Sequence, residues 1–124
     1  MFLTATCTKA GTTTDLDQTT GLNRVHLRST TNKVLLGANA EGNDLAAKVY
    51  IINKATDPTI YVTITINAQT IGKLYAGDWM FIPWSQTDVA ADIEVAATSW
   101  TASTGDIPVE YAVFHEDTDL LTDA

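Results

Sequence analysis

Residues 60–66 read I-Y-V-T-I-T-I, the cleanest periodic signal in the chain. Ile60, Val62, Ile64 and Ile66 fall on one side of an extended backbone, and Tyr61, Thr63 and Thr65 on the other. Successive side chains of a strand point to opposite faces, so a strict period of two among β-branched residues predicts a half-buried strand. The run is followed by Asn67-Ala68, which opens a tight connection to Q-T-I-G-K-L (69–74).

The same alternation recurs on both sides. Leu3, Ala5 and Cys7 alternate with threonines over 3–8, Val25 and Leu27 face away from Arg24, His26 and Arg28, and 33–36 is a short strand ending at Gly37. K-V-Y-I-I-N (48–53) reads as a buried strand followed by the turn K-A-T-D-P-T. Further on, Ile93 and Val95 oppose Glu94, and Val109, Tyr111 and Val113 oppose Glu110, Ala112 and Phe114. The polar segment K-A-G-T-T-T-D-L-D-Q-T-T-G (9–21) lacks periodicity and predicts a loop or extended arm; 38–44 is rich in turn residues; 85–92 holds one helical turn at most. These signals give eight or nine short strands with turns between them, the pattern of an all-β, antiparallel β-sandwich of jelly-roll type. The chain divides into an N-terminal strand and Thr-rich arm (1–21), a sandwich body (22–116) and an acidic, loose tail (117–124).

One strand is unusual. L-Y-A-G-D-W-M-F-I-P-W (74–84) holds two of the three tryptophans, and both of its faces are oily. Asp78, Met80 and Ile82 point one way; Trp79, Phe81 and Pro83 point the other, with Trp84 following the proline. One face enters the core. Three covers are open for the other: a loop of the same chain, a neighbouring subunit, or a sugar stacked on the tryptophans. Proline cannot donate to a ladder, so this strand belongs at a sheet edge or end.

Composition narrows the function classes. With 124 residues, 45% of them apolar, the chain is one domain that folds without disulfides, metal or cofactor. Threonine, at 21 residues, favours strands with a wet outer face. Cys7 is the one cysteine and reads as a small buried hydrophobe. No apolar run reaches membrane-spanning length, and M-F-L-T-A-T lacks a basic segment ahead of an apolar one, so neither a membrane nor a secretory route is indicated. The net charge of −8 is uneven: residues up to Lys73 carry +2, and those from Leu74 onward carry −10 with no Lys or Arg. Nucleic-acid binding needs clustered cations, which are missing; the two unlike halves suit either contact between neighbouring subunits or an acidic surface kept for solubility.

Catalytic constellations are also missing. His26 and His115 are lone histidines on strands, and no G-x-S-x-G surrounds a serine. Glu94 and Glu110 alternate with apolar residues and read as solvated rather than as a cleft pair. Asp15-x-Asp17 and Asp117-x-Asp119 supply oxygens of the kind calcium accepts, without the five spaced ligands of an EF-hand.

The segments K-V-Y-I-I-N-K-A-T-D-P-T-I-Y-V-T-I (48–64), I-G-K-L-Y-A-G-D-W-M-F-I-P-W (71–84), D-I-E-V-A-A-T (92–98) and V-E-Y-A-V-F-H-E (109–116) together resemble small virion proteins of tailed bacteriophages. The resemblance lies in a strand ending in Asn before a turn, a Leu-x-x-Gly-Asp turn into an apolar strand with Pro, and a closing V-E-Y. It implies a non-enzymatic capsid decoration (cement) protein with a jelly-roll body, made in the host cytoplasm and placed on the phage head. Such proteins are often trimers and clamp neighbouring subunits of the major capsid protein. The expected interface residues are Trp79, Phe81, Pro83, Trp84 and Trp100. The rival expectation is a carbohydrate-binding module or adhesin that uses exposed tryptophans.

Overall fold

Ten strands form among the described residues: β1 Ala5–Lys9, β2 Thr12–Gln18, β3 Asn23–Leu27, β4 Lys33–Leu36, β5 Ala47–Asn53, β6 Tyr61–Ile66, β7 Gln69–Tyr75, β8 Trp79–Trp84, β9 Ile93–Ala97 and β10 Ile107–Glu116. This computed structural model describes residues 5–9, 12–18, 22–37, 47–84, 91–102 and 105–116, with backbone alone for 5–9, 12–18 and 115–116. No helix occurs among them. The expected turn at 85–92 falls mostly, and the connection at 38–44 and the tail 117–124 wholly, outside the described residues.

All pairings are antiparallel and build two sheets. The six-stranded sheet runs β1-β2-β10-β5-β8, and β3 shares the β2 side of β10. The long β10 makes this possible: its first half, Ile107–Tyr111, pairs with β3, while Phe114–Glu116 pairs with β2. The four-stranded sheet runs β4-β9-β6-β7. From β3 to β10 the chain changes sheet at every connection except the β6–β7 hairpin.

The alternation read from the sequence is what buries the core. Val49, Ile51, Val109, Val113 and Leu27 from one sheet meet Val62, Ile64, Leu74, Ile93 and Val95 from the other in a single cluster. Truncating a fully buried aliphatic such as Ile51 or Ile64 to Ala belongs to the class costing about 2–5 kcal/mol.

Two expectations need correction. The all-β antiparallel expectation holds, and the first correction is confined to the N-terminus, where β2 is a strand the sequence reading did not include. Residues 12–18 are not a loop: T-T-T-D-L-D-Q pairs with β1, Thr12 opposite Lys9 and Leu16 opposite Ala5. Apolar periodicity is a poor guide there because threonine supplies the β-branched backbone preference without an oily stripe. The second correction concerns Trp84. It is 6% exposed, belongs to the core cluster, and donates its indole Nε1–H to Ala91 O at 2.7 Å. Alternation from Met80 and Ile82 places it on their side of β8, away from Trp79 and Phe81.

The β6–β7 hairpin turns on Asn67 and Ala68, whose φ angles are +53° and +59°. Two positive φ values in a two-residue loop are the mark of a type I′ turn, whose twist matches the flanking strands. Asn tolerates this region; alanine does so at a cost of about 1–2 kcal/mol. Ala68→Gly is therefore expected to raise the denaturant midpoint, stabilising by about 0.5–1 kcal/mol with an unchanged slope.

Asn53 is one of two buried polar residues among those described, with Thr65, and lies fully buried at the end of β5. Its Nδ2 donates to Leu74 O at 2.9 Å and Ile60 O at 3.4 Å, and its Oδ1 accepts from Ala55 N at 2.9 Å. Its backbone N–H donates to Asp78 O at 3.1 Å, and its carbonyl accepts from Gly77 N at 2.8 Å. Gly77, with φ +85°, is third in the turn closed by the Asp78 N–H to Tyr75 O bond, a place where a type II turn requires positive φ. Asn53→Ala leaves Leu74 O and Ala55 N without these bonds. A loss of about 3 kcal/mol is expected in denaturant unfolding.

Candidate interaction surface

The outward face of the six-stranded sheet can be laid out in rows from the register. The first row is Trp79, Ile52, Glu110 and Arg24; the second is Phe81, Tyr50 and Ala112; the third is Pro83, Lys48, Phe114 and Gln18. Apolar side chains dominate it because the alternate residues of β5, β8 and β10 already supply the inner core. Ala112 and Phe114 are buried even on this outer side, with Leu22 and Tyr50 packed against them. The Phe81 ring meets Phe114 edge-on at 5.9 Å, and Trp79 lies 6.3 Å from Tyr50.

Cover runs out toward β8. Trp79 is 63% exposed and Phe81 40% exposed, and Pro83 is exposed as well. The oily second face of this strand is thus partly closed by the chain's own Tyr50 and Phe114 and otherwise open. An exposed Trp beside an exposed Phe and Pro is a contiguous apolar surface rather than scattered residues. β8 is the last strand of its sheet among the described residues, which is where a proline is tolerated.

Trp100, the other expected interface tryptophan, sits apart. It lies in the β9–β10 connection, and its Nε1–H donates to Asp106 Oδ1 at 2.9 Å. Arg28 Nε reaches the other carboxylate oxygen at 3.0 Å. This places Trp100 by the end of the sandwich that holds a cleft of about 290 Å³ between Lys54, Asp57, Asp106 and Pro108. Asp57 there accepts from both the backbone N–H and the hydroxyl of Thr59. A second, more apolar cleft of about 330 Å³ opens between β3 and β4, over Val25, Leu27 and Leu35, with His26 and Lys33 at its rim.

The charge halves also meet inside the chain. Arg24 grips Glu110 through Nε and Nη2 at 3.1 and 2.7 Å, and Arg28 grips Asp106. Both pairs join the basic N-terminal part to the acidic C-terminal part, so some of the complementarity expected between subunits is used within one. Pairs this exposed contribute little to stability.

Among the described residues the candidate chemical groups do not converge. His26 lies opposite Pro108 and His115 seven residues further along β10, roughly 23 Å away at the usual strand rise. Glu94 lies on β9 of the four-stranded sheet, alternating with buried Ile93 and Val95, and Glu110 lies on the outer side of the other sheet. No group of three His, Cys, Asp or Glu suited to a metal occurs among the described residues. Asp15 and Asp17 are described by backbone alone, and Asp117 and Asp119 lie outside the described residues.

Asp106 titrates below the ordinary 3.8, chiefly because the Trp100 indole donates to its charged form; Arg28 adds to this while desolvation opposes it. A depressed folded value means the contact supports folding above the ordinary carboxylate range and is lost as pH falls through the lower folded value. In an NMR acid titration, the Trp100 indole N–H resonance is therefore expected to move together with the Asp106 carboxyl carbon, at a midpoint under 3.8. No protein-family model, curated protein or solved structure matches the chain.

Proposed function

We propose that this chain is a non-enzymatic structural protein that acts by association, with the aromatic outer face of β8 as its contact surface. The observation that carries this reading is the exposure of Trp79 and Phe81 side by side on an edge strand. Tryptophan and other aromatics are enriched at the centres of interfaces, where each well-buried anchor is worth about 2 kcal/mol or more on truncation. Around this centre, Ile52 and Tyr50 extend the apolar area, and Lys48 and the Arg24–Glu110 pair form a polar rim.

The assembly to which the reading points is a phage head, with the protein as a capsid decoration protein, trimeric, seated on the major capsid protein. Its support is the resemblance of residues 48–116 to small phage virion proteins, carried by strand and turn spacing. The order β3-β10-β5-β8 in one sheet and β4-β9-β6-β7 in the other, with near-constant crossing between sheets, supports a jelly-roll body.

The test is the solution mass by sedimentation of the wild type and of Trp79→Ala. The wild type is expected to sediment as a trimer, and Trp79→Ala as a monomer that keeps the wild-type circular dichroism spectrum and a cooperative melting transition. A monomeric wild type indistinguishable from the variant ends self-association through this face.

The carbohydrate-binding reading is favoured by one observation, the open Trp79 ring, an exposed aromatic face of the kind sugars stack on, with Tyr50 tilted beside it. It separates cleanly from the first. Trp84 is buried and hydrogen-bonded, so acrylamide should spare its emission and quench that of Trp79; a glycan that protects Trp79 from quenching supports this second reading.

A further inference from the structure

The hydrogen-bonding phase of β8 follows from Asn53. Its N–H and C=O both point toward β8, meeting Asp78 O and Gly77 N, while the next N–H, of Lys54, turns the other way to Pro108 O on the β10 side. In an antiparallel ladder this alternation continues along the strand. Ile51, Val49 and Ala47 therefore face Met80, Ile82 and Trp84 with their backbone groups. The N–H and C=O groups of Trp79 and Phe81, and the carbonyl of Pro83, point away from β5 to the outer edge. Proline thus occupies an edge-facing position, where its missing N–H costs no bond to β5.

No strand pairs with this edge among the described residues, and its outward-facing positions Trp79, Phe81 and Pro83 are exposed. An edge strand with all of its outward donors and acceptors free is a template on which an extended segment of a second copy can add, and here only two of the three outward positions keep a donor. We propose that Pro83 closes the β8 edge to such strand addition, so that copies of the chain meet through the aromatic face and not by extending the sheet. This deepens the association reading and rests on it for the face; the edge itself stands on the register alone. The ring removes one donor from the three outward positions and leaves an incoming strand only Trp79 and Phe81 to pair with. Association is thereby held to a closed, finite contact instead of an open one, which grows without limit.

Two measurements decide it. On the wild type at low concentration, amide hydrogen exchange should be at least about tenfold faster at Trp79 and Phe81 than at Met80 and Ile82, because only the latter pair with β5. Pro83→Thr restores the donor with a residue suited to strands; its mass by sedimentation should then grow with concentration and its assemblies should bind thioflavin T, while the wild type keeps one defined mass. Equal protection at all four amides overturns the proposal, whether or not the variant folds. So does a folded Pro83→Thr that sediments as the wild type does. Loss of the trimer in Trp79→Ala bears on the face alone and leaves both readouts standing.

Discussion

The buried amide of Asn53 is the constraint on which the rest of the molecule hangs. Apolar burial holds the two sheets together but has no direction, and a core of valines and isoleucines alone would let one layer slide over the other. Asn53 stands at the end of β5 in one sheet and reaches the carbonyl of Leu74 in the other, and that of Ile60 just before β6. Its side-chain oxygen holds the start of the next turn through Ala55. With its backbone groups bound as well, to Gly77 and Asp78, a single residue joins the layers and sets where β8 begins. A buried amide costs free energy unless it is bonded, so the arrangement is also selective: shifted registers would leave those groups unpaired.

The position of β8 decides the character of the surface. Once Asp78 is tied to Asn53, alternation sends Met80, Ile82 and Trp84 inward and Trp79, Phe81 and Pro83 outward. Trp84 joins the core with Met80 packed against it, and its indole is held by Ala91. The outward set lies on a sheet already apolar at Ala112 and Phe114, and the two aromatic layers pack into one surface patch. It is open at Trp79, which supports the proposed association through this face, and the same strand carries the proline proposed to keep its edge from becoming a second contact.

Charge plays a smaller part than its imbalance implies. The Arg24–Glu110 and Arg28–Asp106 pairs bring the basic and acidic halves together across the β3–β10 contact, where antiparallel pairing places them side by side. Among the described residues the acids are not gathered into a metal-binding group, and Asp57 and Asp106 are each taken up by local hydrogen bonds. The remaining negative charge favours solubility, which a protein with an exposed tryptophan needs.

The sequence by itself determined that 22–116 is built of short strands and, for 22–29, 60–66, 78–83, 93–95 and 109–114, which side chains share a face, because side-chain alternation is a local property with a fixed period. It also determined that 79–84 was oily on both sides and that its proline belonged at a sheet edge or end. It did not reveal β2, since T-T-T-D-L-D-Q has no oily stripe and becomes a strand by pairing with β1. Only the tertiary structure decided which of the tryptophans are free. Trp84 and Trp79 look alike in the sequence, and the five-residue separation that puts them on opposite faces matters only once β8 is seated against β5. The role of Asn53 was likewise invisible, because Leu74 and Asp78 are distant in sequence: the first comes within bonding distance only when the two sheets close on each other, the second only when β8 is seated beside β5.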